Sequence, residues 1–322
     1  MQVSVICTIL NEGDAIRPLL DSLLDQTRPA DEIIIVDGGS TDHTLEVLTE
    51  YMAWLPIKIE TAEGANISEG RNIAIGYAQG PIIAATDAGV VLSPVWIEEL
   101  ARPIEEGEAT VTAGWFESDP YTDFEVVMGA TVLPNLNEID PATFLPSSRS
   151  VAFLKSEWAK IGGYPEWLDF CEDLIFDIDL KNEVETFAFA PHAVAWFRPR
   201  GSIGSFYKQY YLYARGDGKA NLWAKRHAIR YLTYLVALPI IGRMIWRARW
   251  YGWILAVLGV AAYCYRPATR LWPLTRGWSP PGQVRAFALI PIIRIVGDVA
   301  KMIGYPVGLW WRWQRRNPNN DE

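Results

Sequence analysis

The chain has 322 residues and a net charge of −9; half of its residues are hydrophobic and 15 are Trp, heavy for a soluble enzyme. That length suits one large domain or two. Cys7, Cys171 and Cys264 have neither disulfide nor metal-ligand spacing, which excludes a disulfide framework and points to free thiols in a reducing compartment.

The charge is unevenly spread. Residues 1–200 carry 11 Lys+Arg against 34 Asp+Glu, a net of −23, whereas residues 201–322 carry 18 against 4, a net of +14. A basic, Trp-rich segment suits either nucleic acid or an anionic membrane face. Its long apolar runs favour the membrane and set nucleic acid aside.

In chain order, no basic region followed by an apolar core opens the sequence, so no signal peptide is expected. Short, branched, apolar runs at 3–10, 31–37, 56–61 and 81–87 read as strands. Between them, "DAIRPLLDSLLDQ", "TDHTLEVLTEYMAWL" and "NISEGRNIAIGYAQG" space their apolar residues as helices do. The alternation predicts an α/β fold of parallel βαβ units covered on both faces. Ligands of such sheets bind beyond the carboxyl ends of the strands. Those ends, at 8–12, 37–42, 61–66 and 87–89, are all polar or small.

From about 108 to 200 proline and turn residues break the rhythm. "CEDLIFDIDLK" at 171–181 reads as a helix with acids at its start, where they also suit the helix dipole. After 225 two uncharged runs, 231–241 and 250–265, fall short of the ~20 residues of a membrane span. Within 286–311, Arg294, Asp298 and Lys301 stand at i, i+4 and i+7, one charged face on an apolar helix that would lie in an interface or pack on others. "GLWWRWQRR" closes the region with an aromatic-basic cluster suited to headgroups. Interfacial or re-entrant helices are expected over a spanning hairpin, which would put Arg243, Arg247 and Arg249 outside against the positive-inside bias.

The chemistry gathers at the strand ends. Asp37, last in its strand and followed by Gly-Gly-Ser-Thr-Asp, can accept from ribose hydroxyls or a base N–H. Thr41 or Asp42 can cap the next helix. Neither a P-loop nor a G-x-G-x-x-G is present.

Three linked segments carry a resemblance: "VSVICTILNEGDAIRPLLDSLLDQTRPADEIIIVDGGSTDHT", "GANISEGRNIAIGYAQGPIIAATDAG" and "GGYPEWLDFCEDLIFDIDLK". In order and spacing, over residues 1–185, they resemble the family 2 glycosyltransferases with the GT-A fold. The resemblance implies a Rossmann-like, mostly parallel sheet with helices on both faces, and an inverting transferase that uses a nucleoside-diphosphate sugar. It puts Thr8, Leu10, Glu12, Asp37, Arg71, Asp87 and Ala88 at the nucleotide sugar, although Gly38 and Gly89 stand where relatives often have acids. "TDAG" takes the place of an Asp-x-Asp, so Asp87 would ligate Mg²⁺ or Mn²⁺; alternatively Asp87 meets the ribose, and Arg215 or Lys219 balances the diphosphate without metal. Asp173, beside Glu172, matches the general base. Trp167 would form an acceptor wall or belong to a core; Arg149 and two hydroxyls of "LPSSRS" would meet acceptor or diphosphate. Arg215 and Lys219, beside Gly216 and Gly218, would come onto the diphosphate from a loop, or meet headgroups. The Gln-x-x-Arg-Trp of processive relatives is not found, which implies a non-processive enzyme.

The division expected is a catalytic domain at 1–225 and a membrane-associated helical region at 226–322. The function expected is transfer to a lipid-linked or cell-envelope polysaccharide acceptor at the cytoplasmic face of the cell membrane. The alternative is a sugar-nucleotide-binding module whose catalysis has decayed, motivated by the acids missing at 38 and 89. A nucleotidyltransferase is disfavoured because "NEGDAIR" is a poor phosphate loop.

Overall fold

The computed structural model of the chain describes residues 1–184 and 187–316. The chain divides into two compact units, one made of Met1–Asp119 and Leu136–Arg198, the other of Pro120–Asn135 and the chain from Pro199 onward.

The first unit runs β1 (Val3–Ile9), α1 (Arg17–Leu24), β2 (Glu32–Asp37), α2 (Thr44–Tyr51), β3 (Ile57–Thr61), α3 (Ile67–Tyr77), β4 (Ile82–Ala85), β5 (Val90–Leu92), α4 (Trp96–Glu105) and β6 (Val111–Ser118). After α5 (Asp123–Val132), which belongs to the second unit, it resumes with β7 (Val151–Leu154), α6 (Lys155–Ile161), α7 (Glu172–Glu183) and β8 (Ala188–Phe197). One eight-stranded sheet forms in the order β3-β2-β1-β4-β7-β6-β8-β5.

The near-continuous apolar runs are explained by burial on both sheet faces. Val5, Cys7, Ile9, Ile33 and Ile35 enter one core. Ile6, Ile34 and Val36 enter the other, against Ala74 and Ile75 of α3. The pairs β1-β2, β1-β4, β2-β3 and β6-β8 are parallel; β4-β7, β6-β7 and β5-β8 are antiparallel. Ile9 lies opposite Asp37, and Asp37 opposite Thr61, so these carboxyl ends finish side by side. The expected α/β sheet is therefore present. Its elements are slightly shorter than the apolar runs: β4 stops at Ala85, leaving Asp87 two residues beyond it.

The second unit adds α8 (Ile203–Ala220), α9 (Ala224–Leu232), a π-helical segment at Thr233–Ala237, α10 (Leu238–Trp246), α11 (Trp250–Leu274) and α12 (Pro280–Arg316) to α5. Val127, Met128 and Ala130 of α5 share a core with Phe206, Leu271, Ala286, Ile290 and Ile293. By packing, the sheet unit runs to Arg198, and α8 and α5 are part of the helical unit, whereas the sequence expectation divided the chain at 225/226. The run at 231–241 is also longer than its uncharged stretch suggests. With the π segment bridging α9 and α10, Ala224–Trp246 forms 23 helical residues. Among the described residues it is long and apolar enough to cross a membrane, at about 34 Å.

Glycine sets the spacing of α8 and α12. A Cβ on Gly308 would lie 2.0 Å from the Arg215 carbonyl oxygen, and one on Gly304 2.2 Å from that of Tyr211. The "RGDGK" stretch is thus helical and not a loop, its Gly218 serving close helix contact.

Candidate active site

Asp87 lies just past β4 with both carboxylate oxygens engaged. Arg71 Nη2 donates to Oδ1 at 2.8 Å, and Arg149 Nε stands 3.4 Å from Oδ2. Arg71 reaches this point from α3, whose start is fixed by a capping box: Asn66 Oδ1 accepts from the Ser68 and Glu69 N–H groups, and Glu69 accepts from the Asn66 N–H. The other arm of its guanidinium donates from Nη1 to Glu172 Oε1 at 2.9 Å. Asp173, next in the chain, accepts from Ser147 Oγ at 3.4 Å, and Ser147 Oγ accepts from Arg149 Nη1 at 3.1 Å. A closed ring results, running Asp87, Arg71, Glu172, Asp173, Ser147, Arg149 and back to Asp87.

The electrostatics of the ring are uneven. Burial opposes the Arg71 charge, but Asp87 and Glu172 outweigh it and hold the guanidinium above its usual range. Burial likewise works against the Asp87 carboxylate, and Arg71 and then Arg149 reverse it, so this acid sits below its ordinary value. Glu172 goes the other way. Burial, with Asp173 alongside, pushes it up to about 7 although Arg71 pulls it down. Of the two adjacent acids, Glu172 is buried on its ion pair and Asp173 is half exposed at the start of α7. Asp173 is thus the less buried of the two.

The turn before α7 is held by Asn72. Its Oδ1 accepts from the Tyr164 N–H at 2.8 Å and from Trp158 Nε1 at 3.0 Å, while its Nδ2 donates to the Tyr164 carbonyl and to Glu166. Gly163 is required there: its φ is +86°, and a Cβ would come within 2.7 Å of Asn72 Oδ1. Tyr164 then stacks on Phe176 of α7 at 3.8 Å and lies 5.2 Å under the Arg71 guanidinium. Cys171, with φ of +66°, turns the chain into α7 in a left-handed conformation that costs a side-chain-bearing residue about 1–2 kcal/mol.

The residues expected at the nucleotide flank the same sheet edge. Asp37, buried, accepts from Ser40 Oγ at 2.5 Å and from the Ser40 and Gly39 N–H groups. Thr8 and the exposed Leu10 lie at the end of β1, and Ala88 is buried beside Asp87. Glu12 follows, raised by burial and then by Asp42 and Asp87. Trp167 is 44% exposed, which removes the core alternative for it. Arg215 and Lys219 are in the helical unit, on α8, with Lys219 buried and its ammonium 4.7 Å from the Trp311 ring.

Two further residues belong to this edge. Asn11, at φ +54°, accepts from the Thr41 N–H and donates its own N–H to Ser40, tying the loops after β1 and β2 together; asparagine before an acid at a strand end is the available signal. Asp177 is fully buried, its two oxygens have no partner among the described residues, and burial followed by Asp173 raises it well above the carboxylate range. It stands four residues after Asp173, a spacing that places both on one helix face.

Among the described residues no group of three His, Cys, Asp or Glu side chains stands ready to hold a metal. Asp87 alone nevertheless fits a hard cation in one respect. Among the described residues its Oδ2 has the long contact with Arg149, both groups being about a quarter exposed, and Mg²⁺ commonly takes one carboxylate together with substrate phosphates and water.

Parallel strands that end side by side, with an arginine-bound carboxylate beside an acid pair, make up the candidate site. Residues 4–147 match the family model for glycosyl transferase family 2. The uncharacterized glycosyltransferase YibD of Escherichia coli is 36% identical over 111 residues, 34% of this chain and 32% of that one. TarS of Staphylococcus aureus in complex with UDP-GlcNAc superposes with a TM-score of 0.53 at 18% identity, covering 99% of this chain and 92% of that one. Mannosyltransferase PcManGT of Pyrobaculum calidifontis, in complex with GDP-Man and Mn²⁺, superposes with a TM-score of 0.62 at 19% identity, covering 94% and 87%. Residues 4–147 are therefore similar to family 2 glycosyltransferases, and the chain shares its fold with these solved glycosyltransferase structures. Its sequence matches span less than half the length of YibD and of the 26% identical Nostoc glycosyltransferase alr2836.

Proposed function

We propose that the chain transfers a sugar from a nucleoside-diphosphate sugar to a hydroxyl of a lipid-linked or cell-envelope glycan, with inversion, at the cytoplasmic face of the membrane. The observation that carries this reading is the ring joining Asp87 and Arg71 to Glu172 and Asp173 at the carboxyl ends of parallel strands. Asp37, Glu12, Thr8, Leu10 and Ala88 line the nucleotide side. Asp173 takes the proton of the acceptor hydroxyl as its oxygen attacks the anomeric carbon. The bond to the diphosphate breaks on the opposite face, and the diphosphate leaves with its electron pair. Arg71, fixed by two carboxylates, and Arg149, over the Phe197 ring at 4.9 Å, are the cations positioned beside that leaving group. Trp167 offers an exposed face for a sugar ring. Mg²⁺ or Mn²⁺ bound at Asp87 would add charge neutralisation of the leaving diphosphate.

Support for the donor and acceptor classes comes from relatives. TarS, a poly(ribitol-phosphate) beta-N-acetylglucosaminyltransferase, is 30% identical over 115 residues, 34% of this chain and 20% of that one. The apolar Ala224–Trp246 helix and the basic composition after residue 200 support the membrane part.

The test is nucleotide release from a panel of UDP-, GDP- and TDP-sugars. Wild type should turn over at least one donor, and Asp173→Asn should lower that rate by about 10²–10⁴-fold. If wild type neither transfers nor hydrolyses any of them, the enzyme reading fails.

A further inference from the structure

The helical unit holds a second concentration of charge, remote in sequence from every strand end. A cavity of about 260 Å³ is lined by Arg230 of α9, Arg266 and Arg270 of α11, and Arg294 and Lys301 of α12. A single carboxylate, Asp298, lines it against these five cations. That acid is already committed: Arg230 Nε donates to it at 2.7 Å, Tyr263 at 2.7 Å and Tyr234 at 3.0 Å.

Arg230, Arg294 and Lys301 are built in rather than trailing into solvent. Arg294 lies over the Tyr263 ring at 4.0 Å and donates to the Tyr263 carbonyl. Lys301 has its ammonium 4.6 Å from the Tyr210 ring, and among the described residues it has no hydrogen bond or ion pair. Withdrawing an ammonium from water is costly, and the carboxylates of Asp298 and Asp217 offset that burial only in part. Burial, with Arg230 next, holds Lys301 down at about 8, so a bound anion would favour its charged form. The Arg294, Asp298 and Lys301 face of α12, which no part of the transfer chemistry uses, has this cavity as its location.

Pockets for whole small molecules run to about 300–1,000 Å³, so this one suits a compact anion better than a nucleotide sugar. Several guanidinium forks and one point-charge ammonium match the oxygens of a phosphate. Basic pockets between helices of membrane-associated proteins recognise phosphate headgroups by the same chemistry.

We propose that this cavity binds a phosphate or diphosphate group, carried by a lipid headgroup or by a free anion. The full-length protein would be titrated in detergent with inorganic pyrophosphate, and separately sedimented with phosphatidylcholine vesicles with and without phosphatidic acid, no sugar donor being present. Lys301→Met and Arg266→Gln are the test variants; Arg243→Gln, on exposed α10 and outside the cavity, is the control. Pyrophosphate binding weakened at least about tenfold in both test variants and not in the control supports the site with a free anion as source. Phosphatidic-acid-dependent sedimentation weakened in the same pattern supports it with a lipid source. Binding to neither probe, or binding that the test variants leave at the wild-type level, overturns the proposal. Arg266 is exposed, so its variant decides the matter should Lys301→Met fail to fold.

Discussion

Arg71 has the most to lose among single residues, because it is the shared partner of two acids. It is buried, and its two nitrogens hold Asp87 and Glu172 at 2.8 and 2.9 Å. Removing one member of a buried pair leaves an uncompensated charge and costs about 3–5 kcal/mol. Arg71→Met should therefore lose about that much stability in denaturant titration, and Arg71→Lys should recover part of it; an unchanged midpoint would contradict the ring. Glu172 gives a pH signature with a definite sign. Its folded value of about 7 lies above the ordinary value of about 4.3, so the folded state holds its proton more tightly. Its contribution favours folding below about pH 4.3 and is lost as pH rises through about 7. Glu172→Gln should flatten the fall in melting temperature across this window, and an identical slope would show that another group titrates there.

Among the elements, β5 to β8 were not predicted, whereas β1 to β4 were legible because each is a short apolar run that stops at polar residues. Asp37, Asp87 and Arg71 were legible for the same reason: each is polar where a βα unit ends or begins. What the sequence did not disclose depends on distant packing. That Arg71 and Arg149 both fall on Asp87 requires α3 and the turn before β7 to converge, and no local pattern encodes that. The glycines of "RGDGK" look like loop residues in isolation. Only the approach of α12, ninety residues away, shows that Gly218 makes room for a helix. A β-carbon there must displace backbone, so Gly308→Val should destabilise the helical unit by about 1–3 kcal/mol. Thermal melts followed by circular dichroism check it, with Gly259→Ala as a control, since nothing lies within 4 Å of a Cβ at that position.

For the whole molecule, composition already announced two parts, and packing divides the chain near Arg198. Charge alone places the change near residue 200, close to the observed Arg198, whereas the apolar runs had drawn it to 225. Charge tracked the packing units better because α8, though polar in sequence, packs by its small residues. The proposed membrane attachment falls on Ala224–Trp246, none of whose apolar window is buried within the protein. A lysine in mid-helix costs about 2.5–3.5 kcal/mol on insertion scales. Leu238→Lys should shift the protein from the membrane fraction toward the soluble fraction, and an unchanged distribution would assign the attachment elsewhere.

The ring of side chains also sets a condition of electroneutrality. With every group ionised, its three carboxylates, Asp87, Glu172 and Asp173, face two guanidiniums, Arg71 and Arg149, leaving a net of −1 before any ligand arrives. An anionic diphosphate entering such a place must bring or recruit positive charge. A divalent cation is one source; a proton on Glu172, whose carboxyl titrates at about 7, is the other. Donor binding should accordingly be coupled to both. Calorimetry near pH 7 in buffers of different ionisation enthalpy should show proton uptake on nucleotide binding, and the uptake should grow when divalent ions are removed with EDTA. Binding heats that ignore both buffer and chelator would mean that the ring opens to admit its ligand.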